Sequence, residues 1–98
     1  MPGEAILRPD AELDAAGAAF WYEEQSRGLG GDFLEAMDEV LLRVGSNPMQ
    51  FPTIESGVRR ALLRRFPYAV YFVTEAERAI VIAILHLHRH PDTWRQRT

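Results

Sequence analysis

Three histidines stand at alternate positions near the end of the chain, in LHLHRHPDTW from Leu85 to Trp94. His86, His88 and His90 could hold a metal, move a proton, or form a polar rim on a strand. A His-x-His pair on a strand points two imidazoles the same way, and zinc accepts such a pair when a third ligand arrives from elsewhere. None is in sight: His90 directly precedes Pro91 and falls beyond the strand, Asp92 lies in the tail, and the other acidic residues cluster in helices. No metal or other cofactor is expected. Acid–base chemistry is better supplied, because imidazole titrates near neutrality and Arg59, Arg60, Arg64, Arg65, Arg89, Arg95 and Arg97 could position a phosphodiester. Yet there is no paired carboxylate, no Ser/His/Asp set and no glycine-rich phosphate loop. On the residues alone, a solvated basic rim that serves binding is the favoured reading. A second unusual stretch is AFWYEEQ: Phe20, Trp21 and Tyr22 cannot share a helix face, because successive residues rotate by about 100°. With Phe20 assigned to the core, Trp21 or Tyr22 lies outside it, as a partner surface or as a cover on the helix flank.

These residues sit in a chain of 98, enough for one domain spanning 1–98. A hydrophobic share of 47% with 26% charged residues is globular, and the lack of cysteine excludes disulfides, thiolate ligands and a cysteine nucleophile. The opening MPGEAILRP has no basic segment followed by an apolar run, so a cytoplasmic protein is expected. The net charge of −3 is unevenly divided. Residues 1–57 hold three arginines against eleven acidic residues, a net of −8, whereas residues 58–98 hold eight against three, a net of +5. A partner that covers the basic half would be expected to bring carboxylates.

The elements follow from periodicity. EAILRP reads as a first strand ended by Pro9, and Asp10 is placed to cap a helix running to about Ser26, with Leu13, Ala16, Gly17 and Phe20 as its apolar stripe. RGLGG breaks it. Leu29, Phe33, Met37, Val40, Leu41 and Val44 then mark one face of a second helix, which GSNP ends. VRRALL, YAVYFV and AIVIAILHLH, rich in β-branched and aromatic residues, form an antiparallel meander. The fold class is α+β, in the order β-α-α-β-β-β, with residues 47–57 the only long connection. Alternation puts Ile80, Ile82, Ile84, His86 and His88 on one face of the last strand, Val81, Ala83, Leu85 and Leu87 on the other, and turns Arg59 and Arg60 to opposite sides.

NPMQFPTIESGVRRALLRRFPYAVYFV followed by IVIAILHLHRHPDTW closely resembles the RelE/ParE superfamily of bacterial type II toxins, known also as plasmid stabilisation proteins, and WYEEQSRGLGGDFLEAMDEVLLRV resembles its helical hairpin. The resemblance runs from about Leu13 to Trp94. It implies a helical hairpin packed on a curved antiparallel sheet, growth inhibition, and neutralisation by a cognate antitoxin. Relatives of the RelE type cut messenger RNA on the ribosome with basic residues on the sheet, a basic residue or His after the last strand, and often a Tyr in the tail; relatives of the ParE type lack that set and inhibit DNA gyrase. Matched by strand position, Arg59 and His88 fall where basic residues are expected, but Tyr68 replaces an Arg and Trp94 replaces the tail Tyr. The resemblance therefore favours the ParE-like branch and gyrase. The alternatives are a nuclease using Arg59, Arg65, His88 and Arg89, or a non-toxic relative that only binds an antitoxin. Target or antitoxin contacts are expected from Arg59, Arg60, Arg64, Arg65, His86, His88, Arg89, His90, Trp94, Trp21 and Tyr22.

Overall fold

The computed structural model describes residues 4–98. A short strand β1 (Ala5–Leu7) leads into helix α1 (Pro9–Gln25), which a tight connection joins to α2 (Leu29–Ser46). After a 3-10 turn (Pro48–Gln50) come strands β2 (Thr53–Glu55), β3 (Val58–Leu62), β4 (Tyr68–Glu75) and β5 (Arg78–His86), then a short helix α3 (Asp92–Arg95). The open sheet has the order β1-β5-β4-β3-β2, and the helical hairpin packs on one face, an α+β architecture.

The sheet is mixed rather than wholly antiparallel, since β1 runs parallel to β5, Ala5 opposite Ala79. No tight turn joins β1 to a neighbour; the helical hairpin intervenes and lets it enter in either sense. The expected loop at 47–57 also carries structure. Glu55 pairs with Val58 across a two-residue turn in which Ser56 (φ 46°) and Gly57 (φ 79°) are both left-handed, the type I′ geometry that matches strand twist.

The β4–β5 turn repeats that geometry without glycine: Ala76 has φ 50° and Glu77 φ 65°. A side chain in this region costs about 1 kcal/mol or more. Glu77→Gly is expected to stabilise the protein by about 0.5–1 kcal/mol net of the added freedom of the unfolded chain, raising the midpoint of thermal unfolding. An unchanged or lowered midpoint would show that the turn is relaxed as it stands.

The expected stripe on α2 is the one the fold buries: Phe33, Met37, Val40 and Val44 are inside, with Leu29 and Leu41 packed at the margin. On α1 the expectation fails. Ala11, Ala15 and Ala18 face inward with Tyr22, while Leu13 and Phe20 are 72% and 68% exposed, and Ala16 and Gly17 lie with them on the outer face. Small residues are needed inside because the hairpin is tight. A Cβ on Gly30 of α2 would come within 2.5 Å of the Ala19 carbonyl oxygen. Nor does Asp10 cap α1; Pro9 occupies the first turn, Arg8 is the cap residue, and Asp10 and Glu12 sit in the first turn, where the helix dipole favours them. The unread cap is Glu23, whose carboxylate accepts hydrogen bonds from Gly28 N (3.0 Å) and Gly30 N (3.0 Å) at the start of α2.

Alternation along β5 is interrupted by a bulge. Tyr71 pairs with Ala83 but Phe72 pairs with Val81, so Ile82 is an extra residue. Val81 and Ile84 enter the core beneath the helices, with Phe33, Val44, Val70 and Phe72. Ile82, Ala83 and Leu85 turn to the outer face, packed with Val58, Ala69, Tyr71 and Trp94. The expected column from Ile80 to His88 is therefore broken: His86 follows Ile84, and His88 lies past the strand's end. Among the described residues, no helix is long and apolar enough to cross a membrane.

Candidate functional site

Once the bulge has reset the register, His86 falls directly opposite Tyr68, the first residue of β4. Their rings meet edge to face at 5.3 Å, and Tyr68 rests on Phe33 at 5.0 Å and near Tyr22 at 6.0 Å. Leu13, Gly17 and Trp21 of α1 line a groove beside Tyr68 and His86 from the helix side, and Arg89 lines it as well. The groove holds about 320 Å³, with Asp14, Ile84 and Leu85 also lining it. A neighbouring hollow of about 500 Å³ shares Trp21, Tyr68 and His86 and adds Tyr22 and Pro67.

Main-chain contacts orient the imidazoles. His86 Nδ1 accepts a hydrogen bond from His88 N (3.0 Å), which leaves Nε2 to carry the ring proton as a donor. His90 Nδ1 accepts in the same way from Asp92 N (3.2 Å), and His86 and His88 lie with ring centroids 4.9 Å apart. Among the described residues, no three His, Cys, Asp or Glu side chains are placed to share a metal ion.

Burial holds the Tyr68 phenol above its ordinary value near 10; Tyr22 and Asp14 push the same way and Arg89 opposes them. Tyr22 is raised too, by burial. A raised phenol pKa means that the folded state keeps its proton after the unfolded state has lost it. This contribution to stability is intact below about pH 10 and is lost as pH climbs through the folded-state pKa. Unfolding by denaturant at pH 9 and at pH 11 is expected to show that loss, and Tyr68→Phe to reduce it. An equal loss in wild type and Tyr68→Phe would mean that Tyr68 ionises as freely folded as unfolded.

The arginines do not form one basic face. Arg64 pairs with Glu39 of α2 (3.2 Å) and Arg65 with Asp32 (3.7 Å), both pairs exposed. Arg59 donates to the Phe51 carbonyl, and Arg95 grips Glu55 through two bonds of 2.7 Å. That contact holds the Glu55 carboxyl below its usual range, the hydrogen bond from Arg95 being the main cause. The acidic and basic halves of the sequence thus compensate each other within the molecule. Arg60 lies opposite Tyr71 on the outer face, and Arg65 is held at φ 70° in the β3–β4 turn.

Of the residues singled out from sequence, the groove and its neighbour gather Trp21, Tyr22, His86 and Arg89 around Tyr68. His88 and His90 follow β5 in exposed positions, and Arg59 and Arg65 are engaged elsewhere. Trp94 is an internal residue, 6% exposed, stacked on Tyr71 at 5.5 Å and 14°. Leu13 was expected in the core stripe of α1 rather than in a site, and Asp14 was assigned no role there; in a sequence, an acid near a helix start reads only as a favourable helix-dipole charge.

No family model matches the chain, and no curated protein matches it. Among solved structures, one chain of a chromosomal ParDE TA system from P. aeruginosa is similar, with a TM-score of 0.73 and 17% sequence identity over 87% of this chain and 96% of that one. At that identity the likeness establishes a shared fold.

Proposed function

We propose that the chain is a type II toxin of the RelE/ParE superfamily, neutralised by an antitoxin and acting on DNA gyrase through protein contacts. The observation that carries the reading is the shared fold with a chain of a ParDE TA system, which meets the resemblance of the sheet and hairpin segments. Contact rather than cleavage is supported by the arginines. Of Arg59, Arg65, His88 and Arg89, only Arg89 lines the groove, while Arg59 and Arg65 are committed to a carbonyl and a carboxylate of their own chain. A site for a polyanion needs converging cations.

The antitoxin surface in this reading is the outer face of α1. Leu13, Phe20 and Trp21 are exposed apolar side chains on one helix, bordered by Asp10, Glu12 and Glu24. Exposed aromatic anchors are the residues that dominate association. The deciding experiment has two arms: supercoiling by purified gyrase is expected to fall when the protein is added, while messenger RNA on translating ribosomes stays intact. Codon-phased cleavage with unaffected supercoiling would instead assign the Tyr68–His86–Arg89 groove to RNA.

Expression of the chain alone is expected to arrest bacterial growth, and co-expression of a cognate antitoxin to relieve it. Trp21→Ala is expected to weaken the complex by about 2 kcal/mol, roughly 30-fold in the dissociation constant, at unchanged thermal stability. Wild-type affinity in this variant would move the antitoxin surface off α1.

A further inference from the structure

Two backbone groups of β5, the carbonyl of the extra residue Ile82 and the amide of Ile84 just beyond the bulge, are both met by one partly buried ion pair. Ile84 N donates to Asp14 Oδ2 (3.0 Å), and the Ile82 carbonyl accepts from Arg97 Nη1 (3.0 Å). Asp14 and Arg97 are joined to each other by Nη1–Oδ2 at 2.6 Å and Nη2–Oδ1 at 3.2 Å, a two-pronged contact with side chains only 15% and 20% exposed. The carbonyl of Arg97 in turn accepts from Arg8 Nη1 (2.9 Å), on the residue that links β1 to α1. The segment after β5 therefore closes back on the edge that β1 is too short to cover, since β1 pairs with β5 only from Ala79 to Val81.

We propose that Asp14 and Arg97 are positioning residues: together they fix the β5 bulge, and through it the side of the sheet on which His86 emerges beside Tyr68. The argument is one of register. In a strand, a shift of one residue exchanges the two faces. Without the bulge, His86 would share a face with Ile82 and point away from α1; with it, His86 follows Ile84 into the groove. A bulge leaves its extra residue without a ladder partner, and a buried unpaired carbonyl is costly, so the group that satisfies the Ile82 carbonyl bears on whether the bulge persists. Arginine suits this place because its planar fork reaches the Ile82 carbonyl and both Asp14 oxygens at once, which a lysine cannot do. Tyr71, the residue opposite the bulge, is held from the outer face by Trp94, so the same terminal segment braces the distortion from two directions. Asp14 lines the groove whereas Arg97 does not, so Arg97 acts on the groove through Asp14 and Ile82. The inference goes beyond the toxin reading and holds whichever target is right.

The test is nuclear magnetic resonance on the full chain, comparing wild type with Arg97→Gln, Arg97→Lys and Asp14→Asn. In Arg97→Gln the His86 ring signals are expected to move, with the Ile84 amide exchanging at least about tenfold faster, the ratio that losing a charge-assisted hydrogen bond brings. Val44, remote in α2, should keep its protection. Arg97→Lys, which keeps the charge but not the fork, should retain the fold and shift His86 in the same direction by less. A purely structural contact would lower protection everywhere and leave the ratio of Ile84 to Val44 unchanged. That result, or a His86 spectrum identical in all variants, overturns the proposal. Should Arg97→Gln not fold, Asp14→Asn and Arg97→Lys provide the same comparison.

Discussion

Phe33→Ala is expected to lower the unfolding free energy by about 3–5 kcal/mol, the range for emptying a buried phenylalanine site. Phe33 is fully buried and stands at the centre of an aromatic group, stacked on Tyr22 at 5.4 Å and meeting Phe66 and Tyr68 at 5.4 and 5.0 Å. Three large rings cannot collapse into the space without leaving their own partners, so most of the cavity would persist. A domain of this kind has only about 5–15 kcal/mol in total, and the variant would be marginal at 37 °C. Urea unfolding measures the loss, with Leu42→Ala as a control; Leu42 is 76% exposed and its truncation should change stability by no more than about 0.5 kcal/mol. Because Phe33 supports Tyr68 from below, the phenol pKa should also fall back toward its ordinary value as water enters. A loss under about 1 kcal/mol would show that the aromatic group repacks freely.

Trp94→Ala is the second large effect, again about 3–5 kcal/mol. Its indole covers the outer face of the sheet, lying flat on Tyr71 with the Arg95 guanidinium 5.6 Å from the ring. Truncation would uncover Tyr71, Ile82 and Leu85 together and release the segment that carries Arg97. The fluorescence of the two tryptophans should separate them: Trp21, 56% exposed, should be quenched readily by acrylamide, and Trp94 should not. If Trp94→Ala unfolds at the wild-type urea concentration, α3 is a loose attachment and the outer core is sustained by the sheet alone.

How far the sequence discloses this arrangement depends on the kind of interaction. The second helix was legible because its stripe is built of large residues at regular spacing, from Phe33 to Val44. The first helix was not, because it has two apolar faces. Leu13, Ala16, Gly17 and Phe20 satisfy helical spacing as well as Ala11, Ala15, Ala18 and Tyr22 do, and the smaller set wins only because α2 approaches closely at Gly30. Size at an interface is a property of the partner element, which periodicity within one helix does not contain. The meander was legible in its strands, yet the bulge at Ile82 was not, and every side-chain direction beyond it depends on that one residue. The site shows the same division. Trp21, His86 and Arg89 were singled out by type, whereas Asp14 matters for the long-range contact to Arg97, and no local pattern joins two residues at opposite ends of a chain. The charge asymmetry between the halves was visible, but its use as internal pairing required knowing that α2 lies against the β3–β4 turn.

The parallel pairing of β1 with β5 also constrains the order of events during folding. Strands β4 and β5 are joined by a two-residue turn and can zip locally, and the α1–α2 hairpin is equally local. Ala5, however, meets Ala79 only after nearly the whole chain has been brought round, so the entropy of closing that loop is spent before the contact returns anything. Contacts of such separation slow folding. During synthesis the hairpin of helices emerges with no sheet beneath it, and its inner alanines and Phe33 wait for β5 before they are covered. The rate-limiting step in refolding should therefore be the docking of β1 and α1 on a β3–β4–β5 meander that is already formed, with substitutions in the meander changing the folding rate and those at Ala5 or Leu7 changing mainly the unfolding rate.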